Sequence, residues 1–312
     1  GYHHSKFVMA RKILLTGAHG LLGNAFAREF AAQEFSSDCA PGFTLTTTSR
    51  QRRRAVLNIE HVSGDLSNQT HIDRIMKRGP FDVVIHAAAR ISPEDGDGAA
   101  ASLFQDNVIA SANLALAARR NRTTHFIYCS TISVYSGDGP YSEHSETDPT
   151  IAYGVSKLTT EQALRNLAHQ HFAVTILRFA GLHGYPRQGG VLFNFVESAL
   201  NNAPIDVAEP DSVYTLTFMN DAVGALKQAA ITGPRDIFGI YNVANPVSLS
   251  LSDLAERVIG VCNSKSKIVA GDTGKRNRVL LVDKFQSGYD VVSSSIEDEI
   301  MDLAVKLNDD RK

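Results

Sequence analysis

A short apolar run, a glycine-rich turn and a helical segment follow one another near the beginning of the chain. The run is residues 12–16, the turn contains Gly17, Gly20 and Gly23, and residues 24–30 have helical character. A run of this length predicts a buried strand, of the kind found in parallel sheets that helices cover on both faces. The order strand, turn, helix therefore predicts an α/β fold.

The glycine turn has a spacing that lets the backbone approach a phosphate group. Glycine permits tight turns because it lacks a Cβ atom, and the amino end of the helix that follows favours an anion. Strand, turn and helix in this order are typical of sites for the pyrophosphate of a dinucleotide. The turn residues that we expect to contact this cofactor are Gly17, His19, Gly20, Leu21, Leu22 and Gly23.

The end of the second predicted strand carries cations where a carboxylate is common. The strand is residues 43–48, and Ser49, Arg50 and Arg52 follow it. In proteins that bind NAD, an Asp or Glu at this point holds the hydroxyl groups of the adenosine ribose. A carboxylate would repel the 2′-phosphate of NADP, whereas Ser and Arg bind it. These three residues therefore predict NADP, with NAD as the alternative cofactor and a solvated loop as the alternative role of the arginines.

Tyr153 and Lys157 stand four residues apart at the start of another helical segment. On a helix, this spacing places both side chains on one face. The pKa of a free tyrosine is about 10, and a nearby ammonium group lowers it by favouring the phenolate. The pair is therefore a candidate general acid/base, although the same spacing also occurs on helices without a catalytic role.

The glycine turn, an apolar strand that ends in Ser130 and Thr131, and the pair Tyr153 and Lys157 together resemble the extended branch of the short-chain dehydrogenase/reductase superfamily. This branch contains nucleotide-sugar epimerases, dehydratases and reductases. The resemblance implies a Rossmann-type, doubly wound parallel sheet with a smaller, interleaved α/β substrate-binding domain. It also implies that Thr131 orients a substrate oxygen, that Tyr153 protonates this oxygen, and that Lys157 lowers the pKa of Tyr153 and holds the nicotinamide ribose.

The resemblance also suggests how the chain is divided. Residues 11–180 are expected to form the NAD(P)-binding domain, with a late strand near residues 238–245. Residues 181–237 and 246–312 are expected to form the substrate-binding domain. We expect residues 1–10 to be a tag with Met9 as the natural start, residues 91–101 to be a mobile loop, and Asp221 to cap a helix.

Further site residues come from the resemblance alone. Besides Tyr153 and Lys157, those expected to contact the cofactor are Asp65, Leu66, Ala87, Ala88, Ala89 and Asn107. Those expected to contact the substrate are Ser133, Asp138, Tyr141, His183, Asn194 and Arg276. Ser133 is also the alternative to Thr131 as the hydroxyl that orients the substrate oxygen. For several of the latter, a solvated connector or a structural histidine is the alternative interpretation.

Two departures from the family pattern bear on the reaction and on the substrate. Ile132 and Ser133 stand where the 4,6-dehydratases carry an Asp-Glu pair, which argues against dehydration. Relatives also place an arginine for a diphosphate near residues 214–216, and this chain has none there. Arg276 and Arg278 are the candidates to replace it, and a substrate without a diphosphate stays open.

Composition restricts the partners of the chain. The net charge is −2, with 43% apolar and 21% charged residues. We therefore expect no nucleic acid and no anionic membrane as partner, and no apolar run approaches the roughly 20 residues that a membrane helix needs. Cys39, Cys129 and Cys262 are widely spaced and form no ligand cluster, which indicates free thiols in a cytoplasmic protein without a metal site. In relatives, the helix at residues 104–120 and the Tyr153 helix commonly form a dimer interface, so a homodimer is expected, with burial of their apolar faces in the core of one chain as the alternative.

Taken together, the residues and the resemblance predict an NADP-dependent oxidoreductase that reduces the carbonyl of a 4-keto nucleotide sugar. Two alternatives stay open. A nucleotide-sugar 4-epimerase would use the same residues with bound NAD. A non-catalytic NADP-binding sensor or scaffold would keep the fold, but a sensor has no use for a proton donor beside Thr131 and Lys157.

Overall fold

The computed structural model of the chain describes residues 10–32, 42–89 and 97–312. The expected tag up to Met9, Cys39 and the first part of the expected loop, residues 91–96, lie outside these ranges. None of the helices in these ranges combines the length and the apolar character that a membrane span needs.

Fourteen strands are described, most of them short. They are β1 (Arg11–Thr16), β2 (Phe43–Ser49), β3 (Glu60–Ser63), β4 (Val83–His86), β5 (His125–Thr131), β6 (Ala173–Phe179), β7 (Leu182–His183), β8 (Ile205–Val207), β9 (Val213–Tyr214), β10 (Thr217–Phe218), β11 (Phe238–Val243), β12 (Leu249–Ser250), β13 (Ile268–Ala270) and β14 (Asn277–Arg278).

Ten α-helices accompany the described strands. They are α1 (Leu21–Ala31), α2 (Gln69–Met76), α3 (Asp97–Leu103), α4 (Ala110–Arg120), α5 (Ala152–Leu167), α6 (Gly190–Leu200), α7 (Met219–Thr232), α8 (Leu251–Val261), α9 (Asp283–Gly288) and α10 (Ile296–Asp309). A π-helical segment, Phe104–Ile109, joins α3 to α4, and a 3₁₀ turn, Ile132–Val134, follows β5.

Seven strands form the main sheet in the order β11-β6-β5-β4-β1-β2-β3. The order of β1 to β6 is that of a doubly wound Rossmann sheet, which confirms the predicted fold class. Thr16 pairs in parallel register with Thr48 on one side and with His86 on the other. The carboxyl ends of β1, β2 and β4 therefore meet where the strand order reverses, and such folds bind ligands at this point.

The chain packs as two compact units. The first comprises Gly1–Cys129, Val155–Ile176 and Leu226–Gly239 within the described ranges, and the second comprises Ser130–Gly154, Leu177–Ala225 and Ile240–Lys312. The predicted division into a nucleotide-binding and a substrate-binding domain is drawn at other residues and stays a prediction.

The core of the first unit is built on the sheet. Ile13, Leu14 and Leu15 of β1 are completely buried, and so are Val84 and Ile85 of β4. Continuous burial along both strands explains why their sequences are apolar without alternation.

Three helices supply most of the core of the second unit. Leu192 and Val196 of α6, Leu254 of α8, and Ile300 and Leu303 of α10 belong to one buried cluster. At the start of α8, the side chain of Ser250 accepts a hydrogen bond from the backbone N–H of Asp253 and so caps the helix.

Two local predictions were wrong. Helix α3 begins at Asp97, so the expected loop does not extend to Ala101. Asp221 does not cap α7, because the helix begins two residues earlier at Met219. The Asp221 carboxylate instead accepts hydrogen bonds of 3.0 and 2.8 Å from the backbone N–H and the hydroxyl of Ser294.

Candidate active site

A cavity of about 310 Å³ lies in the first unit, at the carboxyl ends of β1 to β4. Parallel strands bring the segments that follow them to one edge of the sheet, so residues distant in sequence meet here. The lining residues are Gly17, His19, Gly20, Thr48, Ser49, Arg50, Gln51, Gly64, Asp65, Leu66, Ser67, Ala87, Ala88, Ala89, Asp106 and Ala110.

The glycine turn forms one wall of this cavity and tolerates no side chain at two positions. Gly17 has φ +70°, and a Cβ atom there would lie 2.7 Å from the backbone nitrogen of Ala88. A Cβ atom on Gly23 would lie 2.1 Å from the carbonyl oxygen of Gly17. Gly20 precedes α1 in an extended conformation and provides no side-chain cap, which leaves the amino end of the helix to a ligand. This cradle fits the pyrophosphate of a dinucleotide.

The end of β2 brings hydroxyl, imidazole and guanidinium groups to the cavity. The Nδ1 atom of His19 lies 2.6 Å from the Oγ atom of Ser49. Burial, followed by the positive neighbours His61 and Arg53, lowers the pKa of His19 below its usual value. His19 is therefore neutral at pH 7, and it contributes a hydrogen bond rather than a positive charge.

Arg50 is held between two carboxylates at the rim of the cavity. Its guanidinium nitrogens lie 3.3 Å from Asp65 and 3.1 Å from Asp106. Burial alone would lower the pKa of Arg50, but the charge of Asp106, and then that of Asp65, raises it. A phosphate that binds Arg50 has to compete with both carboxylates.

Lys157 is a buried cation at the carboxyl end of β5. Only 3% of its surface is exposed, and its Nζ atom donates a hydrogen bond of 2.5 Å to the carbonyl oxygen of Cys129. The same atom lies 4.4 Å from the centre of the Tyr128 ring. Burial lowers the pKa of Lys157 to about 8 and raises that of Cys129 to about 12. Cys129 is therefore an uncharged thiol at neutral pH.

Thr131 and Tyr153 belong to the second unit, and both are half-buried. Thr131 ends β5, and its Oγ1 atom accepts a hydrogen bond of 3.1 Å from the backbone N–H of Ser133. Tyr153 is the second residue of α5. A Cβ atom on Gly154, the next residue, would lie 2.4 Å from the carbonyl oxygen of Ser133, so glycine is required for the close approach of the helix start to this turn.

A second cavity, of about 590 Å³, lies within the second unit. It is lined by Gly190, Val191, Asn194, Phe195, Ser198, Pro204, Ile205, Asp206, Val207, Ala208, Glu209, Leu251, Thr273 and Arg276. The Nε atom of Arg276 lies 3.0 Å from the carboxylate of Glu209, which also accepts a hydrogen bond of 3.1 Å from Ser212. The two partners differ in exposure: the side chain of Glu209 is 17% exposed, and that of Arg276 is 60% exposed.

Some of the predicted site residues line one of the two cavities. Among the expected cofactor contacts, Gly17, His19, Gly20, Ser49, Arg50, Asp65, Leu66, Ala87, Ala88 and Ala89 line the first cavity, and Leu21, Leu22, Gly23, Arg52, Asn107, Tyr153 and Lys157 are not among its lining residues. Asn107 is buried and donates a hydrogen bond of 3.3 Å to Ser156. The prediction did not include six further lining residues, although Gly64 and Asp106 adjoin predicted ones. They are Thr48, Gln51, Gly64, Ser67, Asp106 and Ala110.

Among the expected substrate contacts, Asn194 and Arg276 line the second cavity, and Ser133, Asp138, Tyr141 and His183 do not. Tyr141 is 1% exposed, and its hydroxyl donates to the carbonyl of Gly137 and accepts from Arg278, so it is a core residue. His183 is buried as well, and its Nδ1 atom has no hydrogen-bond partner among the described residues.

Comparison with known families agrees with this geometry. The sequence profile of the NAD dependent epimerase/dehydratase family matches residues 13–244. The chain belongs to this family. Its members are NAD(P)-dependent enzymes of the extended short-chain dehydrogenase/reductase type, which confirms the resemblance found in the sequence.

Curated members of the family that resemble the chain differ in the reaction that their names state. A dTDP-4-dehydrorhamnose reductase of Mycolicibacterium smegmatis is 30% identical over 255 residues, which are 80% of this chain and 68% of that protein. A UDP-glucose 4-epimerase of Azospirillum brasilense is 28% identical over 177 residues, which are 55% of this chain and 49% of that protein. The chain thus spans about half the length of that epimerase.

A solved structure with the same fold is the UDP-glucose 4-epimerase of Thermotoga maritima, determined with UDP-glucose. The TM-score is 0.80 at 20% sequence identity, and the alignment covers 96% of this chain and 100% of that one. At this identity, the similarity shows the fold alone.

Proposed function

We propose that the protein reduces the carbonyl of a 4-keto nucleotide sugar with NADPH. The observation that carries the cofactor part is that β2 ends in Ser49, followed by Arg50, with no carboxylate at either position. Both residues line the dinucleotide cavity, which Asp65 and Asp106 also line. The family supports the reaction class, because its members act as NAD(P)-dependent epimerases, dehydratases and reductases.

The site favours reduction over dehydration. A dTDP-4-dehydrorhamnose reductase matches 80% of this chain, although a solved UDP-glucose 4-epimerase aligns with 96% of it. Ile132 and Ser133 follow Thr131 and offer no carboxylic acid and no carboxylate for the elimination of water. A bound NAD that is reduced and reoxidised in each cycle would instead define a 4-epimerase.

The proposed chemistry uses three side chains. A reduced nicotinamide supplies the hydride when it is bound. Thr131 donates a hydrogen bond to the carbonyl oxygen of the substrate, and the Tyr153 hydroxyl transfers its proton to this oxygen as negative charge develops there. The Lys157 ammonium favours the phenolate that remains, so that proton transfer from Tyr153 costs less free energy.

Each cavity is assigned one ligand in this proposal. The glycine turn and Ser49 would bind the pyrophosphate and the adenosine half of NADPH in the first cavity. Asn194 and Arg276 would bind the nucleotide part of the sugar substrate in the second cavity, whose volume of about 590 Å³ lies in the range of small-molecule sites. Arg276 would take the place of the diphosphate-binding arginine that is missing from residues 214–216.

The first test identifies the cofactor. Purified protein is denatured and the released nucleotide is identified by mass, and protein without nucleotide is then titrated with NADPH and with NADH. The proposal expects protein that is free of tightly bound NAD and that binds NADPH more tightly than NADH. Nearly one NAD per chain would instead support the epimerase.

The second test addresses the proton donor. In Tyr153→Phe, the turnover of dTDP-4-keto sugars should fall by roughly 10²- to 10⁴-fold while NADPH still binds, because the variant loses the hydroxyl that donates the proton but keeps the ring. Tyr185→Phe is a matched control, since its hydroxyl lies 3.4 Å from Asp310 and Tyr185 is not among the lining residues of either cavity. Unchanged turnover in Tyr153→Phe would contradict the mechanism, and it would leave cofactor binding as evidence for a sensor.

We also propose a homodimer. Ile109, before α4, and Ile151, before α5, are 47% and 55% exposed. A second copy that covers these helices would remove such apolar side chains from water. Light scattering after size-exclusion chromatography should give the mass of two chains, and the mass of one chain at micromolar concentration would contradict the proposal.

A further inference from the structure

His86, the last residue of β4, is a buried imidazole with two hydroxyl partners. It is 1% exposed. Its Nδ1 atom lies 2.6 Å from the Oγ1 atom of Thr16, its register partner on β1, and its Nε2 atom lies 2.7 Å from the Oγ atom of Ser111 on α4. Both ring nitrogens are therefore used, one as donor and one as acceptor in the neutral form.

The hydrogen bond to Thr16 connects His86 to the wall of the dinucleotide cavity. The Oγ1 atom of Thr16 also accepts a hydrogen bond of 3.1 Å from the backbone N–H of Ala88. Ala88 and Gly17 line the cavity, and they pack so closely that a Cβ atom on Gly17 would lie 2.7 Å from the Ala88 nitrogen. His86 thus fixes Thr16, and Thr16 fixes the segment against which the glycine turn closes.

The face of the same imidazole contacts Tyr128, which in turn contacts Lys157. The rings of His86 and Tyr128 stack, with centres 5.7 Å apart and planes 30° apart. The Tyr128 ring in turn lies 4.4 Å from the Nζ atom of Lys157. A change in the position of the imidazole would therefore move the surface on which the ammonium group rests.

We propose that His86 is a positioning residue that holds the dinucleotide wall at Ala88 and the Tyr128 support of Lys157 in one fixed arrangement. This proposal rests on the proposed function, since it assigns His86 to the cofactor and to the lysine of that same site. His86 transfers no proton to the substrate and acts only through Thr16 and Tyr128.

The imidazole stays neutral in this role. Burial, assisted by the positive charge of Lys157, lowers the pKa of His86 to about 3. Neutral imidazole retains one acceptor nitrogen, which an imidazolium would lose. The arrangement is therefore constant across the pH range in which the enzyme would work.

The chain offers a matched control on the next strand. His125, at the start of β5, is completely buried, its Nε2 atom lies 2.7 Å from the Oγ1 atom of Thr175, and burial lowers its pKa to about 3 as well. It pairs with Val83, at the amino end of β4, whereas His86 pairs with Tyr128 at the carboxyl end. His125 matches His86 in burial and in its lowered pKa, but its partner Thr175 lies on β6, whereas Thr16, a partner of His86, accepts a hydrogen bond from the cavity residue Ala88.

The experiment compares His86→Leu with His125→Leu in the full chain. Urea unfolding measures the stability of each variant, titration measures the dissociation constants of NADPH and NADH, and the pH profile of kcat/KM reports on Lys157. Both variants should lose stability. Only His86→Leu should weaken the binding of both dinucleotides, by tenfold or more at a temperature where it remains folded, and shift the alkaline limb of the profile.

Thr16→Val and His86→Gln are tested beside them in case His86→Leu fails to fold. Thr16→Val keeps the shape of Thr16 and removes the oxygen that binds Ala88 and His86, so it should weaken dinucleotide binding while the alkaline limb stays in place. His86→Gln retains a polar donor and acceptor and should recover part of the affinity.

Two outcomes separate this proposal from the proposed function. If wild-type protein binds no dinucleotide, the proposed function fails and the role of His86 in binding fails with it. If wild-type protein binds NADPH and turns over a keto sugar, but His86→Leu and Thr16→Val bind NADPH as tightly as His125→Leu does, only the positioning role is overturned.

Discussion

The Nζ atom of Lys157 lies 4.4 Å from the centre of the Tyr128 ring, within the range of a cation–π interaction. The ring and the carbonyl oxygen of Cys129 stabilise a cation that burial would otherwise disfavour. Burial nevertheless lowers the pKa of Lys157 to about 8, so the ammonium form predominates only below this pH. The chemistry proposed for Tyr153 depends on that form.

The alkaline limb of activity should therefore respond to Glu161, one turn beyond Lys157 on α5. Glu161 is 2% exposed, and its negative charge raises the pKa of Lys157 against the effect of burial. In Glu161→Gln, the pKa of Lys157 falls, so kcat/KM should decline at a lower pH than in the wild type. The pH profile of kcat/KM for reduction checks this shift.

Glu299→Gln provides the control for that profile, because Glu299 is another buried carboxylate, 6% exposed, in the second unit. Its substitution should leave the limb in place. An alkaline limb that does not move in Glu161→Gln would show that Lys157 does not set it.

Asp106→Asn should change the choice of cofactor. Asp106 and Asp65 neutralise Arg50 at the cavity rim, at distances of 3.1 and 3.3 Å. With one carboxylate removed, a 2′-phosphate competes with less negative charge, so NADPH should bind about two- to fivefold more tightly, as expected for an ion pair whose arginine is 57% exposed. The affinity for NADH should stay the same, and fluorescence titration measures both. Asp302→Asn is the control, because it removes the same charge from α10. An equal gain in NADPH affinity in this variant would mean that the effect comes from the net charge of the protein and not from Arg50.

The part of this site that the sequence predicted is the part that one segment determines by itself. β1, the glycine turn and α1 follow from an apolar run, three glycines and a helical pattern, and Gly17 has the positive φ that such a turn needs. Ser49 and Arg50 were found in the same way, because the position after the second strand has a known role in this fold.

The residues that escaped prediction depend on contacts between distant segments. Asp106 matters because α3 and the π-helical segment bring it 3.1 Å from Arg50, which lies 56 positions away and gives no local signal. Gly64 is required because a Cβ atom there would lie 2.2 Å from the Nδ1 atom of His71. Tyr141 stands in a polar loop, yet it is buried by stacking on Tyr135. The catalytic roles of Thr131, Tyr153 and Lys157 stay predictions.

Gly17→Ala should damage both stability and cofactor binding. The left-handed backbone and a Cβ atom 2.7 Å from Ala88 together predict a loss of roughly 2 kcal/mol or more in the free energy of unfolding. Gly224→Ala is the opposite case, because nothing lies within 4 Å of its Cβ position in α7. It should gain about 1 kcal/mol from helix propensity. Urea unfolding measures the stability of both variants. A Gly17→Ala variant with unchanged stability and normal NADPH affinity would contradict the role of the glycine turn as a pyrophosphate site.

Acid should destabilise the fold through its buried histidines. The pKa values of His86 and His125 are about 3 in the folded protein, below the value of about 6.5 in an unfolded chain. The unfolded chain therefore binds more protons between these values, and stability is lost as the pH falls from about 6.5 towards 3. His125→Leu should flatten this dependence in urea unfolding measured at about pH 7, just above the window, and at about pH 6, 5 and 4 within it. If the slope of the unfolding free energy against pH is the same in His125→Leu as in the wild type, groups other than His125 cause the acid sensitivity.

The second cavity yields the prediction that decides whether the substrate carries a diphosphate. Arg276 is paired with Glu209 at 3.0 Å, and Ser212 holds the same carboxylate at 3.1 Å. In Glu209→Gln, the guanidinium is released from its countercharge, so a diphosphate-bearing ligand such as dTDP should bind a few-fold more tightly as a competitive inhibitor. Arg276→Gln should weaken the same ligand, while the affinity for NADPH stays constant in both variants. If neither variant changes dTDP binding, Arg276 does not replace the missing arginine, and a substrate without a diphosphate, such as a smaller ketone, becomes the better candidate.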